Sequence, residues 1–455
     1  MSTKKILFVE PEGAPSNIFS KFMNIPLLGP LQLATLAQNN GYEVKILNEN
    51  ILKRQISPTE LIQTDILCVS SITATFNRGR KIAADYHFHR KNHNLPSHAI
   101  IGGIHASMHP NDPGPEFNQI ITGEAESVFL DVLSGKISDR IVCGRQLINL
   151  DDIPIVNYSL LVNHHKMKIF PVMTSRGCPY HCNFCSVTKM FGRNYRTQSI
   201  PRILEELFHL KKGWIFFVDD NFAAVPAHTH KLLNELIRLK FNHPWTAQVR
   251  ADSAHDLELV KKLKTAGCKI VFIGLESINQ NSLLNMQKNL KTDDIIKAIH
   301  TFQSHGIQVH GMFMLGNDPD SKDIFGATSA FCKKSGLSFV QYSVLTPLPG
   351  TELFTKLENE NRIIHKNWSL YDGLHVVFKP KHMSASELQS GMINCFKSFY
   401  NYPHAFQNLL HFMPFMQHHN HTTLYSTTMK IVGNILIKQW NKINEHYINY
   451  LNTIN

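Results

Sequence analysis

The chain has 455 residues, 43% hydrophobic and 18% charged, with 24 Gly and 21 Pro; that is material for two to three folded domains and excludes a collagenous, low-complexity or wholly disordered protein. The net charge of +11 comes from Lys and Arg scattered along the sequence rather than gathered in blocks, so no nucleic-acid partner is predicted. The start, Met1 to Glu10, has too short an apolar run for a secretory leader, and no stretch approaches ~18 uninterrupted apolar residues; the expectation is a cytoplasmic protein without a membrane span.

From the N-terminus, short apolar runs alternate with helical patterns. Strands are predicted at 5–9, 42–47, 65–70, 98–102 and 119–122, with helices at 27–40, closed by Gly41, and at 77–91. This βαβ rhythm predicts a Rossmann-type α/β domain over residues 1–136, a doubly wound parallel sheet. Ligands of such sheets sit at the carboxyl ends of the strands. There the chain offers Ser70, Ser71 and Thr73, then Gly102 and Gly103, then Gly123 and Glu124. Any one of these is explained by a tight turn; three together suggest a binding face, because small residues let a bulky ligand reach the backbone.

Periodicity fades over residues 137–168, around Leu150-Asp-Asp-Ile-Pro154, which reads as a linker. A second series follows, with strands predicted at 169–174, 214–219, 245–252, 269–276, 307–315 and 337–346. It predicts a parallel sheet curved into a partial barrel over residues 169–350. Ser199 is placed to cap a helix with Ile203, Leu204, Leu207 and Phe208 on its apolar face, and the helix over 292–305 ends at Gly306. In the third strand, period two puts Thr246, Gln248, Arg250 and Asp252 on one face. That face either lines a ligand-filled lumen or belongs to an edge strand half in water. Residues 351–455 read as a mostly helical extension, with a helix over 384–400 and a solvated His-rich tail around His418 to His421.

The chemical centre is Ser175-Arg-Gly-Cys178-Pro-Tyr-His-Cys182-Asn-Phe-Cys185-Ser186, just after the first barrel strand. Active sites of parallel α/β barrels lie at that end. The other cysteines, Cys68, Cys143, Cys268, Cys332 and Cys395, are isolated. Clustered thiols in a chain without a secretory leader point to metal rather than disulfides, and thiolates select zinc or iron–sulfur clusters. A structural zinc site closes with four ligands; no second Cys pair exists, and His181 beside Cys182 would need a cramped geometry. Three Cys around a four-iron cluster leave one iron open to a substrate.

The Cys178-x3-Cys182-x2-Cys185 loop, with Phe184 before the last Cys, resembles the radical S-adenosylmethionine (SAM) enzymes. The resemblance implies a [4Fe–4S] cluster on these three Cys, an open iron that chelates the amino and carboxylate groups of SAM, and one-electron cleavage to a 5′-deoxyadenosyl radical that takes a substrate hydrogen. A one-electron donor such as flavodoxin or ferredoxin is the implied partner. Within that likeness, Phe184 and, in the 217–222 segment, Asp219 and Asp220 correspond to SAM-contacting positions, the two Asp to those at its amino group. Residues 274–277 resemble the ribose-binding region, through Glu276 and Ser277, and Arg250 is a candidate partner of the SAM carboxylate. Gly311 lies in an element similar to the one near adenine, and 342–351 resembles the sixth-strand ending.

The preceding domain resembles the cobalamin-binding domain of cobalamin-dependent radical SAM enzymes, with 101–106 and 122–126 as its strand-end loops. The 371–378 segment is similar to the branch containing hopanoid methyltransferases, and the likeness covers about residues 4 to 400. It implies cobalamin at the three small-residue loops and methyl transfer to an unactivated carbon of a small-molecule or lipid substrate, a lipid placing the protein at a membrane surface. One departure is that the Asp-x-His-x-x-Gly loop supplying an axial His in other cobalamin proteins is absent after the first strand. Asp85-Tyr-His87 falls within a predicted helix. A cobalamin-associated cyclase or rearrangement enzyme, or a radical SAM enzyme without cobalamin, shares every motif. A methylthiotransferase would carry more clustered Cys upstream than Cys68 and Cys143. A non-catalytic iron–sulfur or zinc protein is the alternative of a different class. Phe399, Tyr400, Phe406 and Phe412 read equally as core or as lipid-facing.

Overall fold

A computed structural model describes residues 4–17, 25–401, 403 and 416–454, with the backbone alone for 416–427. The first sheet comprises β1 (Lys5–Glu10), β2 (Glu43–Asn48), β3 (Ile66–Ser70), β4 (His98–Gly102), β5 (Gln119–Gly123) and β6 (Ile141–Gly144). All pairs are parallel, in the order β2-β1-β3-β4-β5-β6, so the winding reverses between β1 and β3, where doubly wound sheets open a crevice. The strands are apolar runs rather than alternations because both faces are covered. Ile6, Phe8, Cys68 and Ile100 pack on Leu31, Ala34 and Ala37 of the helix Leu28–Asn39. Leu7, Val9, Val69 and Ile101 pack on Phe76, Ile82 and Tyr86 of the helix Phe76–Asn92, and on Phe354, Trp368, Tyr371 and Val377 from far along the chain. The extension thus completes the first core.

β6 falls inside the stretch that reads as a linker, pairing Ile120 with Ile141 and Ile121 with Val142. Its physical reason for escaping the pattern is plain: a short edge strand with only Val142 buried has no periodicity to detect. The rest of that stretch drapes over the same core through Val156, Leu160 and Leu161.

The second sheet is built from β7 (Ile169–Val172), β10 (Trp214–Phe217), β11 (Trp245–Val249), β12 (Cys268–Glu276), β13 (Gln308–Leu315) and β14 (Phe339–Val344), parallel in the order β14-β13-β12-β11-β10-β7. Between β7 and β10 an antiparallel pair, β8 (Ser175–Arg176) and β9 (Arg196–Thr197), brackets the Cys loop. Phe217, Trp245, Ala247, Val249, Ile273 and Val309 face Leu232, Leu236, Val260, Leu263 and Ile299 of the surrounding helices. Phe216, Gln248, Phe272 and Met312, half-buried, alternate onto the concave side. β11 stops at Val249, so Thr246 and Gln248 share the inner face, whereas Arg250 and Asp252 lie beyond the strand at the start of a 3-10 turn. Ser199 accepts from the Arg202 amide at 3.4 Å, as its capping role requires. Ile203 and Leu207 are buried on that helix, but Phe208 is 55% exposed, because it sits past the edge of the stripe.

Ser384 forms a capping box with Glu387 on the helix Ala385–Phe399. Phe399 is buried in the core, and the half-buried Tyr400, whose hydroxyl donates to the Val340 carbonyl at 2.6 Å, packs against it, so the pair tie the extension to β14. Phe406, Phe412, His418, His419 and His421 lie outside the described side chains. Among the described residues no helix is long and apolar enough to cross a membrane.

Candidate active site

The Cys loop is fixed at both ends by the β8–β9 ladder, Ser175 opposite Thr197 and Arg176 opposite Arg196. Gly177 has φ +91, and a Cβ there would come within 2.8 Å of the Asn194 carbonyl, so only glycine makes this entry. Inside the loop, the Asn183 amide donates to the Met286 carbonyl at 3.3 Å and its side chain to Asn285 at 2.7 Å. Cys178, Cys182 and Cys185 are half-buried and unoxidised. Burial, then the neighbouring thiolates, push the Cys185 thiol up to about 12, so it ionises only with a cation to compensate. Among the described residues no three His, Cys, Asp or Glu converge on a single metal ion. The His181 Nε2 lies 2.8 Å from a Glu352 carboxylate oxygen, which directs that nitrogen to Glu352 rather than to a zinc shared with the thiols.

The structure separates the two aspartates after β10. Asp219 is buried and accepts from the Thr174 and Ser175 amides (2.9 and 2.5 Å) and from both hydroxyls (3.1 and 2.7 Å). Oδ1 accepts three of these bonds and Oδ2 one, so the carboxylate anchors β8 to β10. Asp220 turns instead into a cavity between the two sheets.

Glu276 ends β12 in the left-handed region, φ +59, with the Ser277 amide bonded back to the Leu275 carbonyl at 2.8 Å. A non-glycine residue held in so tight a turn marks stored strain, which clusters at functional sites. Its carboxylate takes the Lys288 ammonium at 2.7 Å, in space that exists because Gly274 has no Cβ to strike them. Burial alone would lower Lys288's pKa; Glu276, and Cys182 nearby, outweigh it and hold it raised. The sequence reading missed Lys288, whose only local signal is a loop with positive φ at Gln287 and Asn289.

Arg250 braces that loop. Its Nη2 donates to the Lys288 and Asn289 carbonyls, its Nε to Asp252 at 3.0 Å, and its guanidinium lies 3.6 Å from the Tyr180 ring centroid. Those engagements make it a scaffold for Lys288. Ser277 Oγ accepts from its own turn at the Asn279 amide. Gly311 faces away from the lumen: a Cβ there would meet Leu275 and Leu337 at 3.0 Å. Phe184 packs half-buried against the barrel core.

The carboxyl ends of the first sheet face the barrel across a cavity of about 220 Å³. Ser70, Gly102, Gly103, Gly123 and Glu124 line it; Ser71 and Thr73 do not. Thr73 hydroxyl lies 3.4 Å from His105 Nδ1, and Ser71 Oγ is buried without a hydrogen-bond partner. Glu124 is engaged across the domains: it receives Arg176 at 3.1 Å, both terminal nitrogens of Arg196, and the Leu147 amide at 3.1 Å. Arg176 also reaches Glu126 at 2.5 Å and Gln32 at 2.9 Å. Glu124 therefore lines the cavity and also clamps the base of the Cys loop. His87 sits mid-helix with Ser97 and Glu116 on its two ring nitrogens, as a chance match to an axial-ligand motif would.

Residues 172–325 match the Radical SAM superfamily. The chain carries a radical SAM domain. Its cofactors are accordingly a [4Fe–4S] cluster and SAM, and the thiols of Cys178, Cys182 and Cys185 fit the cluster. The chain is 26% identical over 415 residues to bacteriochlorophyllide d C-12(1)-methyltransferase of Chlorobaculum tepidum, covering 88% of each chain. It is 25% identical over 341 residues to hopanoid C-2 methylase of Rhodopseudomonas palustris, covering 71% of this chain and 63% of that one. In fold it is similar to the cobalamin-dependent SAM radical enzyme OxsB, solved with aqua-cobalamin and SAM bound: TM-score 0.69, 14% identity, over 98% of this chain and 76% of that chain.

Proposed function

We propose that this radical SAM enzyme methylates an unactivated carbon of a small-molecule or lipid substrate, with cobalamin in the interdomain cavity as the methyl carrier. The observation that carries the reading is the cavity itself: one wall is the small-residue end of the first sheet, the other is Ser175, Arg176 and Asp220 at the base of the cluster loop. A methyl carrier and a radical source held on these two walls are neighbours. The cavity extends along the first sheet between Phe8, Cys68 and Ile121 and the helix residues Leu28 and Leu33. That apolar slot, with Ser70 and the carboxylates at its mouth, suits a large ligand with apolar rings and polar rim groups. Residues after β1 are Pro11, Glu12 and Gly13, so the loop there offers no imidazole to cobalt. The bacteriochlorophyllide and hopanoid relatives support methyl transfer over cyclisation.

Bound there, cobalamin supplies a transferable methyl group, while the cluster and SAM supply the radical. The chain's own residues do the positioning. Lys288 and Glu276 present a buried cation and an acceptor side by side, suited to the carboxylate and the ribose hydroxyls of SAM respectively. Arg250 and Tyr180 hold that pair in place, and the Glu124 clamp fixes the loop that carries the thiols. We assign the first domain to residues through β6, and a small one-electron donor protein as the reductant.

The test is anaerobic reconstitution with iron, sulfide and cobalamin, followed by desalting and turnover with methyl-labelled SAM. Near one corrinoid per chain and labelled methyl in product is the expected result. An intact cluster that retains no corrinoid would overturn the methyltransferase reading.

A further inference from the structure

Glu124, Glu126, Asp220 and Arg176 are the carboxylate and guanidinium side chains on the interdomain cavity. Arg176 pairs with both glutamates and Arg196 pairs with Glu124, so two cations balance two anions. Asp220 is left over: among the described residues no ion pair or hydrogen bond engages its carboxylate, and the nearby cation, Arg176, is engaged with Glu124, Glu126 and Gln32. Its backbone is held firmly, because the preceding Asp219 is locked by four hydrogen bonds to Thr174 and Ser175. Burial and the adjacent Asp219 carboxylate push the Asp220 carboxyl up to about 7. An unpaired carboxyl on the cavity wall, kept in so unfavourable a setting, calls for a compensating charge or donor from a ligand.

We propose that Asp220 reads the charge of the cavity's occupant: its carboxylate accepts a hydrogen bond from, and favours positive charge on, the side of the ligand that faces the barrel. The inference rests on the reading of that ligand as cobalamin, whose cobalt carries its charge at the centre of the corrin face. First-sheet residues on the opposite wall, Ser70, Gly102, Gly103 and Gly123, bring no charge of their own, so discrimination between charge states falls to Asp220.

The experiment uses the cluster-loaded protein with aquacobalamin bound. Raising the pH removes one proton from the axial water, lowering the ligand's charge by one, and the corrin absorbance reports it. The isosteric, uncharged Asp220→Asn is compared with the parent protein and with Asp220→Ala. The parent is expected to hold the aqua form to higher pH than both variants, by at least about half a pH unit, or roughly a threefold difference in proton affinity. Coincident transitions, with corrinoid bound to equal stoichiometry, would sink the role of Asp220 while leaving the cobalamin reading intact. Failure of all three proteins to retain corrinoid would sink both. Should Asp220→Asn instead lose the SAM-induced change in the reduced cluster's EPR signal, with the aqua transition unmoved, Asp220 belongs to the SAM site and the proposal falls.

Discussion

The two sheets agree in strand number and direction, and both turn their carboxyl ends toward one gap; they differ in how those ends are finished. The first ends in Ser70, Gly102, Gly103 and Gly123, where backbone lies against backbone: a Cβ on Gly103 would stand 2.6 Å from the Ser71 carbonyl. The barrel ends in buried charge, with Asp219 bonded to Thr174 and Ser175, Glu276 in a strained turn and Lys288 sealed against it. An end without side chains accepts bulk and little else. An end with paired, oriented charges selects a small zwitterion. Glu124 belongs by sequence to the first kind and by electrostatics to the second, so the two ends are joined at that residue.

The sharpest division should come from Cys185→Ala. Product formation is expected to fall at least about a thousandfold, with iron and sulfide lost on analysis and corrinoid retention unchanged; lost corrinoid would mean the two ends are not separable. Glu124→Ala should blur the division. It leaves Arg176 and Arg196 buried without their shared carboxylate, at a cost of roughly 3–5 kcal/mol, read as a lowered urea midpoint together with weaker cluster and corrinoid retention.

Acidity offers a third route. Burial pushes Glu10, at the end of β1, up to about 7, against hydrogen bonds from the Leu27 amide and Asn48 at 2.8 Å each. A carboxyl whose folded pKa is raised favours the folded state fully below the ordinary value, and that contribution is lost as pH rises from about 4.5 to about 7. Glu10→Gln is therefore expected to be more stable than the parent at pH 8, by on the order of 1–3 kcal/mol, with the advantage gone near pH 4. Denaturation across that range decides it; a pH-independent difference would break the argument. The smallest effect is reserved for Lys288→Met, which should weaken SAM binding about tenfold, by equilibrium dialysis, without touching corrinoid content.

What was legible in sequence is what depends on near neighbours. The six barrel strands, five of the first sheet's strands and the thiol spacing are all written in runs of a few residues. Asp219 and Arg250 were recognisable as site residues but not as scaffold, because the groups that engage them, Thr174, Ser175, Lys288 and Asn289, lie tens of residues away in the chain. Glu124 meets Arg196 across 72 residues, and no local pattern encodes such a pairing. β6 escaped for the opposite reason: with one buried residue, its burial pattern is too thin to carry a period. Lys288 is one of many lysines until Glu276 is seen beside it.

The face of the first sheet that carries Leu7, Val9, Val69 and Ile120 is completed by Phe354, Trp368, Tyr371 and Val377. During synthesis the ribosome delivers those four about 250 residues after Ile120, roughly 10–50 s later at ordinary elongation rates. For that interval an otherwise formed sheet stands with part of one apolar face open to its surroundings. Expressing the first half alone would leave that part of the face without its cover.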